Sequence, residues 1–296
     1  MTKPKIAVVG SINMDLTTSF DRMPHQGETV HGTSFATYPG GKGFNQAVAA
    51  ARGGAEVSMV GVIGDDAFGK SLKTMLAKEK IATAGIKTMT GIGTGTATIL
   101  LTEGDNRIVV VPGANGEVTP QHVERQRELL TNSDIVLLQL EIPMESVKKA
   151  AEIAFEANVP IILNPAPSQP LSKELLDKIT YLTPNESEAA DLMTHYESRK
   201  ALEEKLIITK GKQGVMFYEK GRAVTVPGFP VTPADTTGAG DTFCGLMSTR
   251  IAQGYSLEEA CQFANAGAAL SVTKPGAQGG MPTEREVLRF LRERGK

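Results

Sequence analysis

Short apolar runs recur along this chain of 296 residues and alternate with stretches rich in alanine and charged residues. The first run covers residues 6–9 and ends at Gly10, and similar runs cover residues 57–63, 135–140, 159–163, 181–183 and 206–209. An uninterrupted apolar run is typical of a strand buried on both faces of a parallel sheet. Such strands in alternation with helices predict one α/β domain over residues 1–296, with a doubly wound, mostly parallel sheet flanked by helices.

Two segments depart from this alternation. Residues 28–38 and 95–111 have strand-like patterns that break the alternation, and the second segment is typical of a hairpin that turns at residues 104–106. They predict a small β subdomain, formed by residues 12–38 and 94–111, that projects from the main sheet. A sheet with an apolar face and no helices of its own must cover something. We therefore predict a lid over a ligand that also joins two subunits as a homodimer.

Charge and cysteine content exclude several classes of protein. A formal net charge of −2 and an isoelectric point near 6.2 provide no positive field for nucleic acid. No apolar stretch approaches the length of a membrane span, and residues 1–5 lead into a strand rather than a secretory leader. Cys244 and Cys261 lie in apolar, helical stretches without the spacing of a zinc site, which predicts reduced, buried thiols. We expect a cytoplasmic protein with no nucleic-acid or membrane partner.

The sequence DTTGAGD at residues 235–241 joins a polar loop to a helix. Gly238 and Gly240 permit a tight turn whose backbone amides point at an anion, and the following helix adds the positive end of its dipole. With Ala239 between them, the two glycines predict an anion hole. On this motif alone, Asp241 fits an ordinary N-cap aspartate better than a catalytic group.

Two further segments carry polar side chains near turns. Asn13 and Asp15 follow the first buried strand and, at strand spacing, project to one face, where an amide and a carboxylate can bind adjacent hydroxyls. The sequence GGKGFNQA at residues 40–47 opens an alanine-rich helix and lets the backbone approach a small polar ligand closely. Each segment alone is also compatible with plain turn chemistry.

Together and in this order, the three segments resemble the ribokinase (phosphofructokinase-B type) family of carbohydrate kinases over nearly the whole chain. The resemblance implies transfer of phosphate from ATP to a sugar, with Asp241 as the base. It implies a sugar site formed by Asn13, Asp15, Gly41, Lys42, Asn45 and Glu141. Asn13 with Asp15 favours D-ribose, phosphorylated at its primary 5-hydroxyl, while fructose, ketodeoxygluconate or a nucleoside stays open as the acceptor.

Glu141 also has support from its position. It directly follows the strand predicted at residues 135–140, at the carboxyl edge where α/β sheets place their ligands. A carboxylate on a surface loop would fit the same position equally well.

The resemblance further implies a nucleotide site and two kinds of metal ion. The nucleotide-binding residues would be Asn185, Glu188, Thr209, Lys210, Gly211, Gly214, Gly240 and Asn265, with Asn265 beside the adenine. Glu188 would help to hold Mg²⁺ through water, because this ion dehydrates reluctantly, although a helix that starts with an acidic turn explains the same residues. K⁺ would bind as an activating cation, chiefly to backbone oxygens of Asp235, Thr237, Ser271, Lys274, Gly276 and Gly280.

Two other functions are compatible with parts of the sequence. GDDAFGKS at residues 64–71 matches a Walker A motif after an apolar strand, but Asp65 and Asp66 place carboxylates where such a loop cradles phosphates. A sugar-sensing protein without catalysis would lack the base or the anion loop, and this chain has both.

The chain departs from the family pattern in one place. Residues 190–205 leave little room for a full helix, strand and helix, so we expect an abbreviated peripheral element. This departure affects the geometry expected around Asn185 and Thr209.

Overall fold

The protein is built on three β-sheets, seen in a computed structural model that describes residues 2–102, 105–194 and 199–295. The strands are β1 Lys5–Val9, β2 Asn13–Ser19, β3 Ser34–Gly40, β4 Glu56–Gly64, β5 Ile86–Met89, β6 Gly95–Thr102, β7 Asp105–Val111, β8 Ile135–Leu138, β9 Ile161–Leu163, β10 Tyr181–Leu182, β11 Ile207–Thr209, β12 Gly214–Glu219 and β13 Arg222–Pro227. The central sheet has the order β10-β9-β8-β1-β4-β5, and its pairings are parallel.

Helices cover this central sheet. They are α1 Lys42–Arg52, α2 Ala67–Lys78, α3 Pro120–Glu124, α4 Arg127–Thr131, α5 Met144–Glu156, α6 Lys173–Lys178, α7 Glu186–Thr194, α8 Arg199–Glu203, α9 Ala239–Ala252, α10 Leu257–Ser271 and α11 Glu284–Glu293. Ile6 and Val8 of β1 belong to one buried apolar cluster, and Ala7 and Val9 belong to a second cluster. Because successive side chains of a strand point to opposite faces, the sheet has an apolar core on each side, as predicted for a doubly wound fold.

A separate four-stranded sheet, which we call the lid, has the order β3-β2-β6-β7. β2 pairs antiparallel with β3 and parallel with β6, and β6 pairs antiparallel with β7. These strands lie within the segments expected to form a β subdomain, except that β3 continues to Gly40. Of the turn predicted at residues 104–106, residue 104 lies outside the described residues. Phe35, Ile108 and Val109 expose 66%, 54% and 59% of their surface, so one part of the lid is apolar and exposed.

The run at residues 206–209 differs from the prediction. Its strand β11 pairs antiparallel with β12 in a third sheet, β11-β12-β13, and meets the central sheet through an isolated parallel bridge between Leu182 and Leu206. Between α7 and β11 the structure describes only the short α8, while residues 195–198 lie outside the described residues. The elements described between residues 190 and 205 are short, in line with the expected abbreviation.

Helices α1 and α9 pack unusually closely. A Cβ at Gly245 of α9 would lie 2.6 Å from Ala49 Cβ and 2.6 Å from the Gln46 carbonyl oxygen of α1. Thr249 Oγ1 on α9 donates to the Ala50 carbonyl oxygen of α1 at 3.2 Å. The absence of a side chain at Gly245 therefore lets the two helices bring their amino-terminal ends together.

None of the helices in the described parts of the chain is long and apolar enough to span a membrane. Cys244 and Cys261 are both free and buried, as the sequence predicted.

Candidate active site

The amino-terminal ends of α1 and α9 meet above the carboxyl edge of the central sheet, and each helix has a glycine as its N-cap. Gly41 has φ of 87° and Gly238 has φ of 76°, values that favour glycine. The first amides of a helix have no acceptor within the helix, so both ends can bind an anion. Gly240 faces open space, because nothing lies within 4 Å of a Cβ built on it, whereas the Ala239 amide makes a long bond of 3.3 Å to the Thr236 carbonyl.

The position of Asp241 excludes an N-cap role. Gly238 is the N-cap and Asp241 is the third residue of α9, with 8% of its surface exposed. Asn45 Nδ2 donates to Asp241 Oδ2 at 3.0 Å, and Gln46 Nε2 donates to Asp241 Oδ1 at 2.9 Å. Burial raises the pKa of Asp241, while the positive charge of Lys42 and the two amides oppose this rise. The carboxylate is thus held by α1 rather than by its own helix.

Four carboxylates lie around one lysine at this edge, namely Asp15, Glu141, Glu188 and Asp241. Burial, followed by the charges of Glu141 and Asp241, raises the pKa of Asp15 to about 7. Burial lowers the pKa of Lys42, but the charges of Asp241, Glu141 and Glu188 outweigh this effect and hold the pKa above its ordinary value. The site therefore concentrates negative charge around a buried ammonium group.

Asp15 depends on a glycine in the neighbouring strand. Gly40 of β3 pairs with Asn13 of β2, and a Cβ on Gly40 would overlap the Asp15 carboxylate. Gly40 therefore makes room for this side chain at the hinge between the lid and α1.

Glu141 supports the start of α1. Its Oε2 accepts hydrogen bonds from Ser11 Oγ at 2.5 Å and from the Lys42 backbone amide at 3.0 Å. The Ser11 carbonyl also accepts from the Phe44 amide at 2.9 Å. Glu141 is therefore part of the site and not a free surface carboxylate. Sequence reasoning missed Ser11, for which the only signal was its place between Gly10 and Asn13.

Asn13 is oriented by a second asparagine. Asn115 Nδ2 donates to Asn13 Oδ1 at 2.6 Å, and Asn115 Oδ1 accepts from the Ile12 amide at 2.8 Å. Asn115 is buried in a 3₁₀ turn, Gly113–Glu117, after the lid strand β7. It was not singled out in the sequence.

A cleft of about 510 Å³ opens beside the start of α9. Five of the residues expected to bind nucleotide line it, namely Thr209, Gly211, Gly214, Gly240 and Asn265. Its other walls, not predicted, are mainly apolar and include Phe229, Pro230, Val231, Phe243, Ala268 and Ala269.

Two of the residues expected to bind nucleotide make hydrogen bonds to backbone carbonyls. Lys210 is not among the lining residues, because its amide donates to the Gly214 carbonyl at 2.8 Å and closes the turn between β11 and β12. Asn265 Nδ2 donates to the Val226 carbonyl at 3.1 Å, so this amide also anchors the end of β13.

A smaller cleft of about 160 Å³ links the first cleft to Asp241. It is lined by Lys42, Asn185, Glu188 and Asp241, and it shares Thr209, Thr236, Ala239 and Gly240 with the first cleft. The shared residues include two of the proposed anion hole. A long ligand could therefore run from the apolar cleft past the start of α9 to Asp241.

Asn185 and Glu188 cap α7 reciprocally. Asn185 Oδ1 accepts from the Glu188 amide at 2.9 Å, and Glu188 Oε2 accepts from the Asn185 amide at 2.9 Å. The acidic helix start considered in the sequence analysis is thus present, and the same carboxylate also lines the smaller cleft. Within residues 2–102, 105–194 and 199–295, no three His, Cys, Asp or Glu side chains come together in a way that could hold a metal ion.

The residues expected to hold a monovalent cation lie on two loops that meet. Asp235 Oδ1 accepts from the Thr237 amide at 2.9 Å, and its Oδ2 accepts from the Gly276 amide at 2.8 Å. A Cβ on Gly280 would overlap the Ser271 carbonyl. Ser271 is the last residue of α10, and its carbonyl cannot accept the usual helical hydrogen bond from the amide four positions later, because that residue is a proline. Backbone oxygens of this kind fit a cation; Lys274 lies in the same loop, with its side chain exposed.

The Walker A match has no phosphate cradle. Asp66 Oδ1 accepts from the Gly69 amide at 2.7 Å, and its Oδ2 accepts from the Thr94 amide at 2.7 Å, so the carboxylate fills the place of an anion. Lys70 forms an exposed ion pair with Asp65 at 2.9 Å. These contacts exclude a P-loop at residues 64–71.

Comparisons with known proteins show the family of the chain. Residues 3–284 match the model of the pfkB family carbohydrate kinases. The chain is 49% identical to a ribokinase from Bacillus subtilis strain 168, over 97% of this chain and 99% of that protein. It is 40% identical to a ribokinase from Lactococcus lactis, over 98% of this chain and 97% of that protein. A solved structure of Arabidopsis thaliana ribokinase complexed with ribose and ATP superposes with a TM-score of 0.90 at 32% identity, covering 99% of each chain.

Proposed function

We propose that this chain, which belongs to the pfkB family of carbohydrate kinases, transfers the γ-phosphate of ATP to the primary 5-hydroxyl of D-ribose. The observation that carries the proposal is the position of Asp241. Its carboxylate lies where the cleft at the start of α9 meets the polar side chains of the sheet edge. A base at that junction can act on a sugar hydroxyl and face a phosphate at the same time.

The sugar side of the site consists of hydrogen-bonding groups around the base. Asn13, Asp15, Asn45 and Glu141, with the backbone at Gly41 and Lys42, would hold the ribose hydroxyls. Asp15 and Glu141 accept hydrogen bonds and Asn13 and Asn45 can do both, so a polyol matches the set. They would present the 5-hydroxyl to Asp241, which accepts its proton as the oxygen attacks the γ-phosphate.

The amides at the start of α9 would stabilise the charge that develops on the transferred phosphate. Gly238, Ala239 and Gly240 would present backbone amides and the positive helix end there, and Gly240 leaves open space in front of them. Lys42 would add a positive charge on the other side of the smaller cleft. The adenine would lie in the apolar cleft near Asn265, with Thr209, Gly211 and Gly214 along the phosphates.

Mg²⁺ and K⁺ complete the proposal. Mg²⁺ bound with ATP would supply charge neutralisation on the phosphates, and Glu188 with Asn185, which line the smaller cleft, would hold it through water. The loops that contain Asp235, Ser271 and Gly280 would hold K⁺. A kcat that is unchanged when K⁺ is replaced by tetramethylammonium would contradict this second assignment.

The lid would cover the sugar and join two subunits in a dimer. Its exposed apolar residues form a patch at Phe35, Ile108, Val109, Val110 and Val111. Sedimentation equilibrium is expected to give a dimer, and a monomer for Val109→Asp. We place the enzyme in the cytoplasm, where ATP is available.

The test is an assay of ADP release with and without ribose. Release is expected to depend on ribose, and Asp241→Asn should lower kcat by about 10³-fold or more while ribose still binds, measured by calorimetry. Near-normal turnover of this variant would refute the role of the base. A panel that includes fructose, ketodeoxygluconate and nucleosides would refute ribose as substrate if one of them gave a higher kcat/KM.

A further inference from the structure

Each oxygen of the base lies at the end of a chain of two amides. Gln139 Nε2 donates to Gln46 Oε1 at 2.7 Å, and Gln46 Nε2 donates to Asp241 Oδ1 at 2.9 Å. In the second chain, Gln278 Nε2 donates to Asn45 Oδ1 at 3.1 Å, and Asn45 Nδ2 donates to Asp241 Oδ2 at 3.0 Å. The outer member of each chain is a glutamine to which the proposed reaction gives no role.

The direction of these amides matters for the base. A rotation of a side-chain amide by 180° about its last carbon–carbon bond exchanges the positions of its oxygen and its nitrogen. If Gln46 turned in this way, its oxygen would face the Asp241 carboxylate, and the contact would be favourable only with a proton on Asp241. A protonated Asp241 cannot accept a proton from a hydroxyl. The base therefore needs both amides with the nitrogen towards it.

Gln46, the inner member of the Gln139 chain, also bonds to a further amide. Gln46 Nε2 also donates to Asn164 Oδ1 at 3.2 Å, and Asn164 Nδ2 donates to the Thr183 carbonyl at 2.9 Å, so Asn164 presents its oxygen to Gln46. Gln139 is fully buried, and a Cβ on Gly10 would overlap its Oε1. Within the described part of the chain this Oε1 has no hydrogen-bond partner, so the amide direction follows from the bond that Gln139 donates to Gln46.

The Gln278 chain joins the base to the lid. Gln278 Nε2 also approaches the Pro39 carbonyl, near the end of β3, at 3.3 Å. The backbone of Gln278 is held in turn by Arg52 of α1, whose Nη1 donates to the Gln278 carbonyl at 2.9 Å. The Gln278 chain therefore connects the loop after α10, the lid and Asn45.

We propose that Gln139 and Gln278 are positioning residues that keep the amides of Gln46 and Asn45 turned with their nitrogens towards Asp241. They act through those amides and do not touch the substrate. The inference rests on the proposed function, because it takes Asp241 to be the base.

The pH dependence of turnover tests the proposal. The titratable groups around Asp241 are Lys42 on α1, Glu141 after β8, Asp15 on β2, Glu188 on α7 and Cys244 on α9. All of them are unchanged in the variants below, so a shift in the profile reports on the amides.

Gln139→Met keeps the length of the side chain but cannot donate. We expect kcat to fall about tenfold and the acidic limb of its pH profile to move up by about one pH unit, with KM for ribose within about threefold of the wild-type value. Gln253→Met is the matched control: it loses a hydrogen bond of 2.7 Å from Arg250 at the far end of α9 and should leave the profile unchanged. An acidic limb at the wild-type pH in Gln139→Met would overturn the proposal.

A double-mutant cycle separates this role from a general loss of packing. If Gln139 acts through Gln46, adding Gln139→Met to Gln46→Met lowers kcat no further, whereas additive losses would overturn the proposal. Gln278 lies on a half-exposed loop, so Gln278→Met tests the second chain even if Gln139→Met does not fold. An acidic limb at the wild-type pH in Gln278→Met would also overturn the proposal. Wild-type protein without ribose-dependent ADP release would refute the proposed function instead.

Discussion

Asp15→Asn is expected to make the ligand-free protein more stable at neutral and alkaline pH, because it removes a carboxylate whose charge the folded protein disfavours. Burial raises the pKa of Asp15 from 3.8 to about 7, and the charges of Glu141 and Asp241 add to this effect. The folded protein therefore holds the proton more tightly than the unfolded chain. Between about pH 4 and pH 7 the folded state binds more protons than the unfolded chain. The contribution of Asp15 to the free energy of unfolding of the wild type therefore falls as the pH rises.

The size of the effect follows from the shift. A displacement of about 3 pH units corresponds to roughly 4 kcal/mol at about 1.36 kcal/mol per unit, an upper value because water reaches part of the side chain. The asparagine amide has nearly the same shape and does not ionise. The difference in the free energy of unfolding between variant and wild type should therefore rise by up to about 4 kcal/mol between pH 4 and pH 8.

Urea denaturation of ligand-free protein at a series of pH values measures this difference. Asp21→Asn, an exposed aspartate in the loop after β2, is the control and should give a flat difference. A flat curve for Asp15→Asn, or one that falls with pH, would refute the reasoning. If Asp15 binds the sugar as proposed, the same variant should also bind ribose more weakly, measured by calorimetry.

Three further predictions follow from contacts outside the sugar site. Gly245→Ala should lower the free energy of unfolding by about 1–3 kcal/mol and also lower kcat, measured by denaturation and ADP release, because its Cβ would lie 2.6 Å from Ala49 Cβ and force α1 away from α9. Thr283→Ala removes the capping box of α11 and should cost about 1 kcal/mol with kcat unchanged; a loss of activity would contradict this. Lys70→Ala breaks an exposed ion pair with Asp65, so kcat should stay within about twofold, whereas abolished transfer would revive the P-loop reading.

Much of the fold was predictable because buried parallel strands have a simple pattern. The runs at residues 6–9 and 57–63 lie in β1 and β4, and β8 covers residues 135–138 of the run predicted at 135–140. A strand covered on both faces has few polar positions to interrupt such a run. The third sheet was not predicted. Its strand β11 looks like the others, and only the hairpin partners β12 and β13 decide that it leaves the parallel order.

Part of the candidate site was also predictable from the sequence, and part was not. Glycine-rich turns at residues 40–43 and 238–240 are visible in the sequence, because a backbone that approaches an anion or begins a helix with positive φ requires glycine. The sequence thus determined where α1 and α9 begin, with Gly41 and Gly238 as their N-caps. Whether Asp241 capped its own helix stayed open, because a cap and a base occupy the same few positions.

Only the tertiary structure decided what holds the base. Gln46 and Asp241 are 195 positions apart, and Gln278 and Asn45 are 233 positions apart, so no local pattern relates them. They meet because Gly245 lets α1 and α9 approach closely and because the loop after α10 returns to the lid. Hydrogen bonds between distant side chains depend on packing geometry, which the order of residues does not display.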